Sequence, residues 1–261
     1  MPSPAASFDE IRAVAASLPA GDFIWQPAIA HPRIVLYAAT HGIAVGVSDG
    51  SPQAMTALVD GIVDGNGPLH ALVEQADADL KLYDLALDRP TRDSRLIQAI
   101  DEVEASRAAA YGMMAVEPGI DIFVVAGLGA GAALAGTVLA TALQPGNIVM
   151  DGALGTALAR HGALDDPMEL LAALGGPDIA AILGVILAAR LAGVPVILDG
   201  VAAYAAAAVA RALRPDALAH CRLATGEAGG FSAAALGLQA VMPGPDDSPL
   251  SGARALLAVM G

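Results

Sequence analysis

The chain has 261 residues, 56% apolar and 15% charged, which is enough length and core-forming side chain for a central sheet with helices and excludes a disordered or fibrous protein. Its 13 Lys+Arg against 27 Asp+Glu give a formal charge of -14, a field that repels phosphate backbones and excludes a nucleic-acid-binding role. Lys81 is the single lysine and Cys221 the single cysteine, so most lysine-based mechanisms, an intrachain disulfide and a cysteine-rich metal site all drop out.

No basic segment precedes an apolar one in residues 1–20, which read as a short tail and an amphipathic helix, so no secretory signal is expected and the location expected is the reducing cytoplasm. Residues 34–40 (IVLYAAT), bounded by Pro32 and His41-Gly42, have the pattern of a strand buried on both faces. Ser51-Pro52 opens a helix with Met55, Leu58, Val59 and Ile62 at helical spacing, and a second helix covers 68–76. Alternation over 80–85 predicts a strand near a sheet edge, and 88–93 is a charged loop. Residues 93–117 read as the longest helix, with Ile97, Ile100, Val103 and Ala108 on one side and Asp101, Glu102 and Glu104 on the other.

Residues 120–126 predict a strand, followed by a glycine-rich turn, a helix to about 143 and a strand at 147–150. The 29 uncharged residues 122–150 exceed the roughly 18 to 20 that cross a bilayer. Gly127, Gly129, Gly131, Gly136 and Pro145-Gly146 break them into strand, turn, helix and strand, so no membrane span is expected. Asp166-Pro167 opens a helix, 176–191 is an apolar one, and 194–198 is the clearest central strand, closed by Asp199-Gly200. An alanine-rich helix to about 213, a strand near 217–224, a helix at 230–236, a loop over 242–251 and a helix over 250–260 complete the chain. This alternation predicts an α/β fold with a mainly parallel sheet flanked by helices, Rossmann-like and three-layered, with 34–40, 120–126 and 194–198 as central strands. The apolar fraction predicts a homodimer through helices such as those flanking 203–212.

Two glycine segments are candidate ligand sites. Gly127-Leu128-Gly129-Ala130-Gly131-Ala132 lies between a predicted strand and helix, and its backbone N–H groups suit phosphate without a lysine. Asp151, 22 residues beyond Gly129, stands near the place of a ribose-binding carboxylate, which would make the chain a nicotinamide-dinucleotide oxidoreductase. Close helix–strand packing explains the same glycines. The second segment, Gly175-Gly176-Pro177-Asp178, opens a helix, and Asp199 ends a buried strand where open α/β sheets bind ligands. Asp178 as a partner of the helix dipole and Asp199 as a cap of the next helix are the structural alternatives.

Residues 166–200 (DPMELLAALGGPDIAAILGVILAARLAGVPVILDG) resemble nicotinate-nucleotide–dimethylbenzimidazole phosphoribosyltransferases, which join the lower-ligand base of cobalamin to ribose phosphate. The similarity extends to Phe8-Asp9-Glu10-Ile11, Ala39-Thr40-His41-Gly42-Ile43-Ala44, Gly46-Val47-Ser48, Glu227-Ala228-Gly229 and Leu236-Gly237-Leu238. It implies a parallel α/β core in one domain over 1–261, a small helical lobe from 1–30 and 245–261, a homodimer, and phosphate held at helix starts by Gly127, Gly129, Gly131, Gly175, Gly176, Asp178 and Asp199. It implies no metal or other cofactor. The partners implied are a nucleotide and an aromatic base, with no nucleic acid and no membrane.

The family chemistry uses a C-terminal glutamate as general base while nicotinate leaves the ribose carbon. Here the family's Gly-Glu-Gly-Thr-Gly-Ala run is Ser248-Pro249-Leu250-Ser251-Gly252-Ala253, so Pro249 stands at the glutamate. The phosphate loop has lost its acidic and hydroxyl side chains, Thr40 replaces an aspartate before His41, and the chain is shorter than is usual. Asp246 and Asp247 are the candidates to replace the base, against the plainer reading of a solvated pair. His41 is the candidate polar residue at a strand end, and Ser48 and Gln53 are the candidates to touch the base, although Ser51, Pro52 and Gln53 also read as helix entry. His31, His70, His161 and His220 lack metal-ligand spacing, and no Gly-x-Ser-x-Gly elbow occurs. The expected function is transfer of ribose phosphate from nicotinate mononucleotide to a benzimidazole-type base. The alternative is a catalytically silent paralogue that binds the nucleotide or base, or pairs with an active homologue.

Overall fold

The computed structural model describes residues 7–25, 28–46, 59–65, 67–144, 152–245, 248 and 250–261. In chain order the helix α1 (Phe8–Ala16) and strand β1 (Pro32–Ala39) are followed by α2 (Pro68–Gln75), β2 (Asp79–Ala86), α3 (Glu102–Met114) and β3 (Ile122–Leu128). Then come α4 (Ala132–Leu143), α5 (Gly152–His161), α6 (Pro167–Leu174), α7 (Pro177–Ala192), β4 (Val196–Asp199) and α8 (Gly200–Leu213). The chain closes with β5 (Cys221–Ala228), the short β6 (Phe231–Ser232), β7 (Ala240–Pro245) and α9 (Ser251–Met260).

All seven strands form one sheet in the order β2-β1-β3-β4-β5, with β5 also pairing β6 and β7; every pairing is parallel except β5–β6. The central strands β1 and β3 are apolar on both faces, and such strands persist only between two layers of helices. Val35, Tyr37, Phe123, Val125, Val196 and Leu198 face a core shared with α1, α3, α4, α6, α7 and α8. Ile34, Leu36, Ile122, Val124 and Ile197 face the other, closed by Val73 of α2 and by Ala253, Ala255 and Leu256 of α9. The expected three-layer α/β fold and its three central strands are therefore present. The terminal helices α1 and α9, on which the expected small lobe rests, lie on opposite faces of the sheet.

Several local expectations are corrected. The long helix expected over 93–117 starts only at Glu102, because Asp101 accepts from the Glu104 N–H at 2.8 Å while the Glu104 carboxylate accepts from the Asp101 N–H at 2.7 Å. The helix expected at 230–236 is a hairpin and a 3₁₀ turn: Gly229 and Gly230 have φ of +56° and +83° and return the chain as β6 against β5. The first part of the loop expected at 242–251 belongs to β7, an edge strand in which Pro243 and Pro245 are tolerated. The alanine-rich α8, which spans 203–212, has Val201–Ala210 buried within the chain, so an apolar surface for the expected homodimer has to come from helices other than this one. Among the described residues no helix is long and apolar enough to cross a membrane.

The close approach of α3 and α7 explains two glycines. A Cβ on Gly112 would lie 1.8 Å from the Ala181 carbonyl oxygen, and one on Gly184 would lie 1.9 Å from that of Ala109. Of the two, α7 packs directly on β1, β2 and β3, with α3 against it.

Candidate active site

From β1 the sheet grows one way to β2 and the other way through β3 to β4, which makes the carboxyl ends of β1 and β3 the place where the order reverses. Beside it opens a cavity of about 640 Å³, within the size range of small-molecule sites. Its wall comes from the end of β3 (Ala126, Gly127, Leu128), the first turn of α4 (Ala132, Ala133) and the β4–α8 junction (Asp199, Gly200, Val201, Ala202). Pro68, Leu69 and His70 of α2, with Ser248, Leu250 and Ser251, close it from the other face of the sheet. Ala126 pairs with Asp199, the last residue of β4, and β3 runs two residues further to Leu128, so both strand ends reach the cavity.

The first glycine segment is explained in part by packing. Gly129 has φ of +141°, and a Cβ there would sit 1.7 Å from the Ala39 carbonyl oxygen at the end of β1. Gly131 has φ of +84° at the N-cap of α4 and lies against His41 and Ala44. The His41 N–H donates to the Ala130 carbonyl at 2.8 Å. Gly127 is the penultimate residue of β3, where a Cβ would meet Ala202 at 2.6 Å and Asp178 Oδ2 at 3.0 Å. This close approach brings the first turn of α4, with N–H groups that have no intrahelical acceptor, to the cavity wall.

The second glycine segment lies deeper. Gly176 has no room for a side chain, because a Cβ would fall 2.3 Å from the His41 ring. His41 Nε2 is 3.1 Å from Asp178 Oδ1, and both side chains are fully buried. The contact is close, but its angles are not those of a hydrogen bond. His41 and Asp178 thus form a buried polar contact behind Gly127, and among the described residues neither they nor Gly175-Gly176 line the cavity. Such a pair is costly to break, since either partner alone leaves a polar group stranded in the core.

Asp199 does line the cavity, yet it does not cap α8, the helix that follows it. Its carboxylate accepts from the Ser251 hydroxyl and, at 2.9 Å, from the Gly252 N–H, the first two residues of α9. The Ser251 hydroxyl also lies 3.0 Å from the Ser248 carbonyl oxygen. A negative group at a helix N-terminus is favourable, and here it pins the C-terminal segment to the cavity rim. Gly252 permits the approach, since a Cβ would be 2.6 Å from Asp199 Oδ2 and 2.7 Å from Val124.

Of the expected site residues, then, Gly127 and Asp199 line the cavity, Gly129 and Gly131 shape its wall, and His41, Asp178, Gly175 and Gly176 lie behind it. Ser48, Gln53, Asp151, Pro249 and the pair Asp246-Asp247 lie outside the described residues. The strand expected at 147–150, on which the dinucleotide reading rests together with Asp151, lies outside the described residues, and β3 is flanked by β1 and β4. Sequence reasoning missed Ser251, although the hydroxyl matching the family's threonine was a signal, and it missed His70, which had none.

A sheet of this order with a cavity at its carboxyl edge defines an α/β protein built to bind a small molecule. A family model described as Phosphoribosyltransferase (DBI_PRT) matches residues 2–242, and the chain belongs to that family. It is 34% identical over 213 residues to a nicotinate-nucleotide–dimethylbenzimidazole phosphoribosyltransferase of Rhizobium johnstonii and 38% identical over 213 residues to one of Cereibacter sphaeroides. Both alignments cover 75% of this chain and 63% of the relative, so the chain spans less than two thirds of their length. A relative of the same name from Brucella anthropi is 34% identical over 84% of this chain and 70% of its own. The crystal structure of the Thermus thermophilus protein of that name superposes with a TM-score of 0.79 at 23% identity, over 97% of this chain and 92% of that one, which shows the shared fold.

Proposed function

We propose that the protein transfers ribose phosphate from nicotinate mononucleotide to a benzimidazole-type base, as in assembly of the cobamide lower ligand. The observation that carries this reading is the cavity at the sheet's carboxyl edge, closed by Ser248, Leu250 and Ser251 through Asp199. Ser248, Leu250 and Ser251, from the segment that resembles the family's catalytic C-terminus, are thereby held at the cavity. No Lys or Arg is among the described residues that line the cavity, so a phosphate here is met by main-chain N–H groups at the start of α4. The Asp199 carboxylate sits where the positive pyridinium of the donor gains from a negative neighbour.

The reaction is displacement at the ribose carbon: an azole nitrogen forms the new bond, and the pyridine leaves with the electron pair of the old one. The test is a binding and turnover panel with nicotinate mononucleotide, dimethylbenzimidazole and NAD. A site-specific ligand at 100 times its dissociation constant adds about 2.7 kcal/mol of stability. Stabilisation by the mononucleotide together with formation of the ribosylated base is the expected result. Stabilisation without product favours the silent binding protein suggested by Pro249, and stabilisation by NAD alone refutes the reading.

We also propose self-association through α3 in place of α8. Val103, Tyr111 and Met114 of α3 are 43%, 44% and 66% exposed. These side chains support an apolar contact surface away from the cavity.

A further inference from the structure

Two described side chains that line the cavity can ionise, His70 and Asp199. Asp199 is committed to the Ser251 hydroxyl and the Gly252 N–H, where its negative charge favours the start of α9. Taking up a proton would weaken both contacts, so Asp199 is poorly suited to be the proton acceptor. His70 is differently placed. It is the third residue of α2, half-buried in the cavity wall, and among the described residues its ring nitrogens make no hydrogen bond or ion pair.

The two faces of the sheet order the cavity from end to end. The start of α4, which suits a phosphate, belongs to one layer of helices; α2 and α9 belong to the other. A nucleotide anchored by its phosphate at α4 directs its ribose carbon toward α2, where Leu36, Ile62, Pro68 and Leu69 offer an apolar wall to an aromatic base. His70 stands in that wall. Imidazole is the side-chain group used most often for proton transfer near neutral pH.

We propose that His70 is the general base of the transfer, an inference that rests on the function proposed above. As the azole's imine nitrogen attacks the ribose carbon, the nitrogen–carbon bond forms and the bond to the pyridinium breaks. The bonding pair returns to the departing ring, which becomes neutral. The proton on the azole's second nitrogen passes to a free ring nitrogen of His70 and then to water. Asp199 holds the C-terminal segment and faces the cationic donor, and takes no proton.

The test compares wild type with His70→Ala and His70→Asn, measuring nicotinate mononucleotide affinity by calorimetry and ribosylation of dimethylbenzimidazole by product analysis. Both variants should bind the nucleotide as wild type does and lose turnover by roughly 10²- to 10⁴-fold, the usual range for a general base. Free imidazole should restore turnover to His70→Ala and leave wild type unchanged, a response that a structural role for His70 would not give. Should the alanine variant fail to fold, His70→Asn, which keeps a polar side chain but no basic nitrogen, decides by its turnover. Turnover of a folded variant within about threefold of wild type overturns the assignment, as does a loss in His70→Ala that imidazole does not reverse. Wild type that forms no product overturns the function proposed above and His70 with it, whereas active wild type beside an equally active variant overturns His70 alone.

Discussion

His220 gives the most direct test of the packing argument, because its chemistry and its burial pull in opposite directions. The ring is fully buried, edge-on to Phe23, with Cys221 Sγ 3.6 Å from Nε2. Burial, with a smaller contribution from the nearby Arg190 guanidinium, pushes its pKa down to about 3. In the unfolded chain a histidine titrates near ~6.5. The folded state therefore binds fewer protons than the unfolded one between these values, and stability is full above pH ~6.5 and falls as pH drops toward 3. Each unit of pH in that window costs about 1.4 kcal/mol. At pH 5, above the range where most carboxylates protonate, His220 alone should remove about 2 kcal/mol relative to pH 7.5. The measurement is urea unfolding at both pH values for wild type and for His220→Gln, which lacks the titrating ring, so that the other histidines cancel in the difference. Wild type should lose about 2 kcal/mol more than the variant on acidification. Equal losses would show that the ring protonates within the fold, and the claim of a dry, closed pocket around it would be wrong.

Three further outcomes follow from the site and its surroundings. Asp199→Ala removes the acceptor at the start of α9 and should lower stability by about 0.5–2 kcal/mol, the worth of a helix cap, while weakening nucleotide binding; denaturant midpoints and calorimetry measure the two effects. Gly129→Ala places a methyl group 1.7 Å from the Ala39 carbonyl oxygen at a φ of +141°; strain of about 1–3 kcal/mol plus the clash should lower the melting temperature markedly and abolish ligand stabilisation. Met114→Asp puts a charge on the exposed face of α3, where this side chain is 66% exposed, and should convert a dimer to the 25.9 kDa monomer in sedimentation, with the secondary structure unchanged.

The strands were legible because a run such as residues 34–40 has no polar face to turn outward, which leaves only a doubly covered position in a parallel sheet. Legibility failed where one local signal outweighed another. The apolar spacing of Ile97 and Ile100 suggested helix, yet Ile97 is 54% exposed, and the pairing of Asp101 with Glu104 three residues on was the stronger sign of where the helix begins. The prolines of 243–245 signalled a loop, since they cannot donate to a central ladder, but an edge strand such as β7 tolerates them. For α8 the sequence established an apolar helix and not which neighbour covers it; the sheet and the neighbouring helices together bury Val201–Ala210.

The site was legible only where its chemistry is local. Asp199 at the end of an apolar run marks a strand terminus, but its partner Ser251 lies 52 residues away, and no spacing rule joins them; only the fold does. His70, in the first turn of an ordinary helix, carries no signal until α2 is seen to close the cavity. The glycines of 127–131 were ambiguous for a deeper reason, because the missing Cβ that lets a backbone reach a phosphate is also what lets it press against a strand. Gly129 and Gly131 press against Ala39 and His41, and by doing so they set the first turn of α4 at the cavity wall. In a chain whose described cavity residues include no Lys or Arg, main-chain N–H groups are the donors left for an anionic ligand. On the proposed function, close packing and phosphate binding are two consequences of the same glycines, and weighing one against the other from sequence had no physical basis.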